Sequence, residues 1–362
     1  MASEKMHVLI VAPSLDVERN VSGVSAVTNF IIDNNRECEY RHFLQGKSDD
    51  ERGLLRQAVR LLRTYQNWKG VLKEEGGSVI HYNFPLDAAS ILRDYFFMRA
   101  VHRRNRRMVI HLHGGLYLFK EQKPFVIRCI LNEVFGWENN FIVLSNKEKY
   151  FIQKKYRTRN VHVLPNCVDL TDASTFTRTF DSSGHLHILY LGRIEPNKGM
   201  EYLYEAMTMW EHDNKNFTLH LAGIEQGEEK YVSRLAHLLG NRFCYEGVVS
   251  GERKSNLLRQ CQVFLLPSFY EGVPMSLLEC MSYGLVPVVT NVGSIGEYVK
   301  DGENGLLIGI KDSSSIVASL ARLQNDRDLL KKLSAASRET VFTLLNPTNY
   351  ISELNRIYAT SV

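Results

Sequence analysis

Two glutamates separated by seven residues, Glu271 and Glu279, enclose Gly272-Val273-Pro274-Met275-Ser276-Leu277-Leu278. A carboxylate accepts hydrogen bonds from hydroxyl groups. Pro274 suits the first turn of a helix, and the amides of Met275, Ser276 and Leu277 then have no partner within that helix and face an anion. A hydroxyl acceptor, an anion site and a second hydroxyl acceptor follow the order of sugar, diphosphate and ribose in a nucleotide sugar. Two glutamates at this spacing are also common on solvated helices, so the surroundings decide. The apolar run Val263 to Leu266 stops at Pro267-Ser268, as a strand buried on both faces would. Gly284 to Val289 reads as the next strand. The helix between them is predicted from about Pro274 to Tyr283.

A second group follows the strand His187 to Leu191. In Gly192-Arg193-Ile194-Glu195-Pro196-Asn197-Lys198-Gly199 the cations Arg193 and Lys198 flank a Pro-Asn turn. Together they could meet the charge that builds on a departing diphosphate. Surface cations on a turn are the plainer reading, weakened here because both stand at a strand's carboxyl end. Gly223, after the strand Phe217 to Ala222, and Val248, after Tyr245-Glu246-Gly247, mark two more loops that are placed to hold a base. In the first half, Ser22-Gly23-Val24-Ser25 runs into a helix, which an ordinary strand-to-helix turn also explains. The strand Met108 to Ile110 leads into His111-Leu112-His113-Gly114-Gly115, the kind of strand end where α/β proteins bind ligands. Two histidines with no third ligand nearby are poor evidence for a metal.

These residues resemble the retaining, nucleotide-sugar-dependent glycosyltransferases of family 4. EGVPMSLLE matches their paired-glutamate motif, and Gly192-Arg193 with Lys198-Gly199, Pro165-Asn166 and the Gly23 loop extend the likeness over nearly the whole chain. The resemblance implies an α/β fold of two facing Rossmann-like domains, the GT-B architecture, with the site in the cleft between them. It implies catalytic roles for His113, Arg193, Lys198 and Glu271, with His113 preferred to His111 as the contact to the transferred sugar. Donor binding falls to Gly23, Gly223, Val248, Met275, Ser276, Leu277 and Glu279. It further implies transfer to a hydroxyl on a glycan or lipid-linked glycan, with no cofactor and no metal. Metal-dependent transferases commonly hold their ion on an Asp-x-Asp motif, and the acidic run Asp49-Asp50-Glu51, before an arginine-rich helix, reads as a helix start instead. Two other readings stand beside it: a nucleotide-sugar epimerase, and a non-catalytic nucleotide-sugar-binding partner in polysaccharide assembly.

The elements that must position these groups fit the chain's size. At 362 residues there is room for two domains, and 44% hydrophobic with 23% charged residues is a globular composition. The expected organisation is an N-terminal domain 1–168 completed by a C-terminal helix in 347–362, a polar linker 169–184, and a donor domain 185–346. Pro347 is expected to break the helical pattern. Met6 to Ala12 lacks a cleavage site after it and reads as a first buried strand rather than a leader. No apolar run approaches the ~20 residues of a membrane span, and six scattered cysteines without CxxC pairing suit a reducing, cytoplasmic setting. A net charge of +4 gives no ground for a nucleic-acid partner. Two local basic clusters do bear on partners. Arg52, Arg56, Arg60, Arg63 and Lys69 interleave the apolar positions of an expected helix Glu51 to Glu75, and Arg99, Arg103, Arg104, Arg106 and Arg107 end the next one. Such faces either are solvated or lie on anionic lipid.

Overall fold

The computed structural model describes residues 5–16, 22–46, 54–114, 116–180, 184–213, 216–228 and 230–361, without the side chains of 54–58, 116 and 213. Asp49, Asp50, Glu51 and Arg52 lie outside the described residues, as does the side chain of Arg56. The chain forms two compact units, Met1–Asn166 with Pro347–Val362, and Cys167–Asn346.

The first unit carries a six-stranded parallel sheet in the order β2-β1-β3-β4-β5-β6. Its strands are β1 (Met6–Ala12), β2 (Cys38–Leu44), β3 (Val79–Phe84), β4 (Met108–Leu112), β5 (Asn140–Val143) and β6 (Val161–Val163). The chain reverses direction of travel between β1 and β3, the place where open α/β sheets take ligands. Both faces are covered by helices, so the central strands are buried throughout. One face of β3 and β4 is apolar, with Ile80, Tyr82, Phe84, Ile110 and Leu112 in the core. The alternate residues His81, Asn83 and His111 are equally buried but polar, and the register pairs Asn83 with His111.

The helices Leu54–Glu74, Ala88–His102, Phe125–Phe135 and Asn146–Tyr156 pack side by side on the apolar face. Trp68 is fully buried there, and its indole donates to the carbonyl of Phe97 at 3.0 Å. The helices Gly23–Asn34 and Pro347–Ala359 cover the polar face. Pro347 is the first residue of its helix rather than a break: a proline at this position gives up no intrahelical bond and has the right φ. Asn355 ties that helix back to Asn35 and Glu37, and Tyr350 stacks edge-on with Phe30 at 5.5 Å.

The second unit has its own six-stranded parallel sheet, β12-β11-β10-β7-β8-β9. The strands are β7 (Leu186–Leu191), β8 (Phe217–Ala222), β9 (Phe243–Gly247), β10 (Val263–Leu266), β11 (Val286–Thr290) and β12 (Leu306–Ile308). The chain enters at β7, travels outward through β8 and β9, then returns to the other side of β7 with β10. Its switch point therefore lies between β7 and β10.

The stretch 169–184, polar and without apolar period, is not a bare connector over its described residues. Thr171–Thr175 makes a helical turn, and Asp172 accepts from Arg259 and from the hydroxyl of Tyr283. Arg178 donates to the carbonyls of Tyr283, Arg259 and Leu258 at 2.9, 3.3 and 2.7 Å. Side chains bonded to main-chain carbonyls fasten this segment, and hydrophobic periodicity cannot reveal such an attachment.

Candidate nucleotide-sugar site

The loops after β7 and β10 emerge on either side of the switch point, and they carry the two sequence-predicted groups. Glu271 is nearly buried, and Lys198 donates to its Oε1 at 2.7 Å. Arg193 lies in the same loop as Lys198, its carbonyl fixed by the hydroxyl of Tyr190. The sequence reading turned both cations toward a ligand. In the structure Lys198 first meets Glu271, because a carboxylate taken this far out of water needs a cation or several donors.

Pro274 caps the helix Met275–Ser282. The amide of Leu277 donates to the carbonyl of Pro274 at 3.1 Å, so it is already used; Met275 and Ser276 hold the amides ahead of the first intrahelical bond. Glu279 sits one turn further along, where Lys254 donates to its Oε1 at 2.8 Å. The charge of Glu279 holds the ammonium of Lys254 above its usual range. Lys254 lies in the charged helix Gly251–Gln260, and nothing in that stretch of sequence distinguishes it from a solvated lysine. Each glutamate of the motif thus has its own lysine from a different element.

Backbone pressed on backbone holds these loops together. A Cβ on Gly223 would stand 1.8 Å from the carbonyl oxygen of Gly192, and one on Gly293 would stand 1.7 Å from that of Glu271, both at positive φ. Phe269 donates from its amide to Asn197 at 3.0 Å, joining the β10 loop to the β7 loop. Gly223 is therefore required by its own neighbours, whatever it contacts in a ligand. Tyr245 donates to the carbonyl of Gly223 at 3.1 Å, and Val248 is exposed beyond the end of β9.

In the first unit Gly23 opens the helix Gly23–Asn34, and a Cβ there would meet nothing within 4 Å. Nothing among the described residues demands glycine at this position. His113 lies just past β4, half-buried, with Nε2 2.5 Å from Oδ1 of Asn83. Burial, and then the neighbouring His81, push its pKa down to about 3. His111 is fully buried and faces His81, with Nδ1 and Nε2 3.2 Å apart, and its own Nε2 has no partner among the described residues. Burial pushes His111 well down as well, then the charges His113 and His81 would carry. His81 in turn meets the hydroxyl of Tyr358 at 2.6 Å.

The expectation of a metal-free site counted no Asp-x-Asp triplet in the chain, and that count is wrong: Asp326-Arg327-Asp328 is one. Asp326 caps the helix Arg327–Leu344 by accepting from the amide of Leu329, and Asp328 lies 3.5 Å from Lys331, so the triplet is spent on a helix start. His220, Cys244 and Glu246 also gather metal-ligand types among the described residues. Their contacts close on protein groups: His220 bridges His187 and Glu246 at 3.1 Å each, and Arg253 reaches Glu246. Burial, followed by the charge of Glu246, pushes the Cys244 thiol up.

Residues 178–340 match the model for glycosyl transferases group 1. The matched stretch takes in β7 to β12, both lysine–glutamate pairs and Gly293. Over 173 residues the chain is 28% identical to an uncharacterized glycosyltransferase of Methanocaldococcus jannaschii, a match spanning 47% of this chain and 44% of that relative. Over 270 residues it is 26% identical to the UDP-Gal:alpha-D-GlcNAc-diphosphoundecaprenol alpha-1,3-galactosyltransferase of Escherichia coli, covering 69% of this chain and 67% of the relative. The fold matches that of sucrose-phosphate synthase from Thermosynechococcus elongatus with a TM-score of 0.78, at 17% identity over 98% of this chain and 99% of the other. The match to glycosyl transferases group 1 and these relatives support a glycosyltransferase. No described helix is long and apolar enough to cross a membrane.

Proposed function

We propose that the protein is a retaining, metal-independent glycosyltransferase of family 4 that moves a sugar from a nucleoside diphosphate to a hydroxyl acceptor in cell-surface polysaccharide or glycolipid synthesis. The observation that carries this reading is the pair of lysine-held glutamates, Glu271 with Lys198 and Glu279 with Lys254, flanking the start of one helix at the switch point of the second sheet. Glu271 accepts from the sugar's hydroxyls and Glu279 from those of the ribose, while the amides of Met275 and Ser276 face the diphosphate. Arg193 and Lys198 meet the charge on the leaving group as the anomeric carbon–oxygen bond breaks. The acceptor oxygen bonds to that carbon from the same side, and its proton passes to the departing phosphate. Gly23 and His113 of the first unit contribute to the donor and sugar contacts.

The anionic membrane is the second partner in this reading. Leu62, Phe96, Phe125, Val126 and Tyr150 are exposed on the helices that cover the apolar face of the first sheet, Arg63 and Arg103 are exposed as well, and Arg128 and Lys154 lie over the rings of Phe125 and Tyr150. Apolar side chains among cations suit a lipid interface. Three arginines of the second cluster are drawn off: Arg106 donates to the carbonyls of Leu72 and Ser78, Arg104 to that of Ala100 at 2.8 Å, and Arg99 lies 3.4 Å from Glu133.

Incubation with a panel of nucleotide sugars, with and without an acceptor extract of membrane glycolipid, tests the proposal. Donor consumption that depends on the extract supports it. Equal conversion of the donor without extract would make the protein an epimerase, and binding without turnover a non-catalytic partner.

A further inference from the structure

Asn83 stands at the end of β3, beside the switch point of the first sheet, and its hydrogen bonds fix which way its amide faces. Nδ2 donates to the carbonyl of Val11 at 2.9 Å, a group that can only accept. Nδ2 also lies 3.3 Å from Oγ1 of Thr28. The Thr28 hydroxyl gives its own proton to the carbonyl of Val24 at 2.8 Å, so toward Asn83 it too accepts. Both amide protons are spent, and Oδ1 is what faces His113, at 2.5 Å from Nε2. An amide oxygen has no proton to give, so His113 carries its proton on Nε2.

We propose that Asn83 is a positioning residue: by holding the proton of His113 on Nε2 it presents Nδ1 as a bare acceptor to a hydroxyl of the bound sugar. The ligand half of this inference rests on the donor reading above, and the tautomer half stands on the hydrogen bonds alone. The groups around His113 support a neutral ring. His111, with its ring centroid 4.2 Å away, His81 beyond it and the hydroxyl of Tyr358 are all buried, and none of the three carries a charge at neutral pH. A ring held neutral to about pH 3 is too weak a base to remove a hydroxyl proton. It accepts a hydrogen bond and keeps the sugar in register, which is a selection between a hydroxyl and a group without one.

The test is nitrogen-15 NMR of the histidine rings in the full chain. The His113 ring is expected to be the neutral Nε2–H tautomer from pH 5 to 8, and an Nδ1–H tautomer or a mixture overturns the proposal. UDP-glucose, UDP-galactose and GDP-mannose are then added at saturation, with UDP and GDP as sugar-free controls. A shift of Nδ1 with a nucleotide sugar and none with the matching nucleotide is the expected result. A nucleotide sugar that binds by calorimetry but leaves Nδ1 unmoved overturns the inference while the donor reading stands. Absence of binding by the whole panel overturns the donor reading and the ligand half with it. Asn83→Asp adds a kinetic readout, because a carboxylate there favours the imidazolium and turns Nδ1 into a donor. Turnover of this variant should fall at least tenfold from pH 8 to pH 6 while the wild type stays flat, and parallel profiles would again refute the assignment.

Discussion

Gly23→Ala separates what the fold needs from what a ligand needs. Gly23 is the first residue of its helix, lies outside the left-handed region, and has no described atom within 4 Å of where a methyl would go. Alanine is the better helix residue by about 0.5–1 kcal/mol in a helix interior and by less at an end, so the unfolding free energy should stay level or rise slightly. Gly293→Ala is the contrast. Its φ is +58°, and the added methyl would overlap the carbonyl of Glu271. The left-handed strain of about 1–2 kcal/mol and the overpacking of about 1–3 kcal/mol should together cost roughly 2–5 kcal/mol. If a donor phosphate approaches the backbone at Gly23, the methyl displaces it and weakens one hydrogen bond to a charged group, worth about 1.5–3 kcal/mol. That corresponds to a loss of roughly 10- to 150-fold in kcat/KM. Urea titration gives the stabilities of both variants, and turnover on the donor found by the panel gives the rest. Wild-type kcat/KM in Gly23→Ala would refute the reasoning, as would a destabilisation above about 1 kcal/mol, which would make Gly23 a structural glycine after all.

Glu279→Ala should weaken nucleoside diphosphate binding by about 1.5–3 kcal/mol, and Lys254→Ala by less, since it removes only the partner that orients Glu279; an unchanged Kd in Glu279→Ala rejects the ribose assignment. Turnover should survive excess chelator and fall in Arg193→Ala and Lys198→Ala, whereas loss in chelator that magnesium or manganese restores would require a metal. Sedimentation with anionic liposomes should be strong at low salt, weak at high salt, and reduced by an Arg60→Glu, Arg63→Glu, Arg103→Glu variant; equal sedimentation of variant and wild type means the faces are merely solvated. Acid should destabilise the first unit through its histidines. Burial lowers the folded pKa of His81 and His113 to about 3 and that of His111 well below its ordinary value. The unfolded chain therefore takes up protons below about pH 6.5 that the folded one refuses. Stability is full above that pH and falls as pH drops toward 3, by about 1 kcal/mol per histidine between pH 7 and pH 5.5. Chemical denaturation at the two pH values checks this, and His81→Asn should remove about a third of the drop; an equal drop in the variant would show that other groups cause it.

Strands such as β1, β4, β7, β8, β10 and β11 were legible because parallel strands covered on both faces are largely apolar runs, whereas the polar edge strand β2 and the mixed β3 left no such run, and helix starts were marked by Pro274 and Gly23. Less legible were features that depend on contacts distant in sequence. Lys254 looks like any lysine on a charged helix, and only the fold brings it to Glu279. Gly293 is one glycine among 24 until the carbonyl of Glu271 is seen against it. Asn83 did leave a trace. Val79-Ile80-His81-Tyr82-Asn83-Phe84 and Val109-Ile110-His111-Leu112-His113 alternate apolar and polar residues, which in a strand with one wet face means solvent. In a sheet covered on both sides, the same alternation means a buried polar layer. Residues 169–184 misled for the opposite reason, since Arg178 and Asp172 fasten the segment through polar bonds and leave no period behind.

The helix Pro347–Ala359 belongs to the first unit although the whole second unit precedes it in the chain. A ribosome therefore releases β1 to β6 long before the element that covers their polar face. Tyr358 reaches His81 across 277 positions, and Asn355 reaches Asn35 across 320. Until those residues emerge, His81 and His111 face water in a half-built layer, while the contiguous second unit already has every strand it needs. The unit translated second is thus able to finish first, and the nascent first unit depends on a segment made some 180 residues after its last strand. A chain interrupted just before Pro347 would leave a second unit with all its strands and an open first sheet, with its histidines exposed, for quality-control proteases to find.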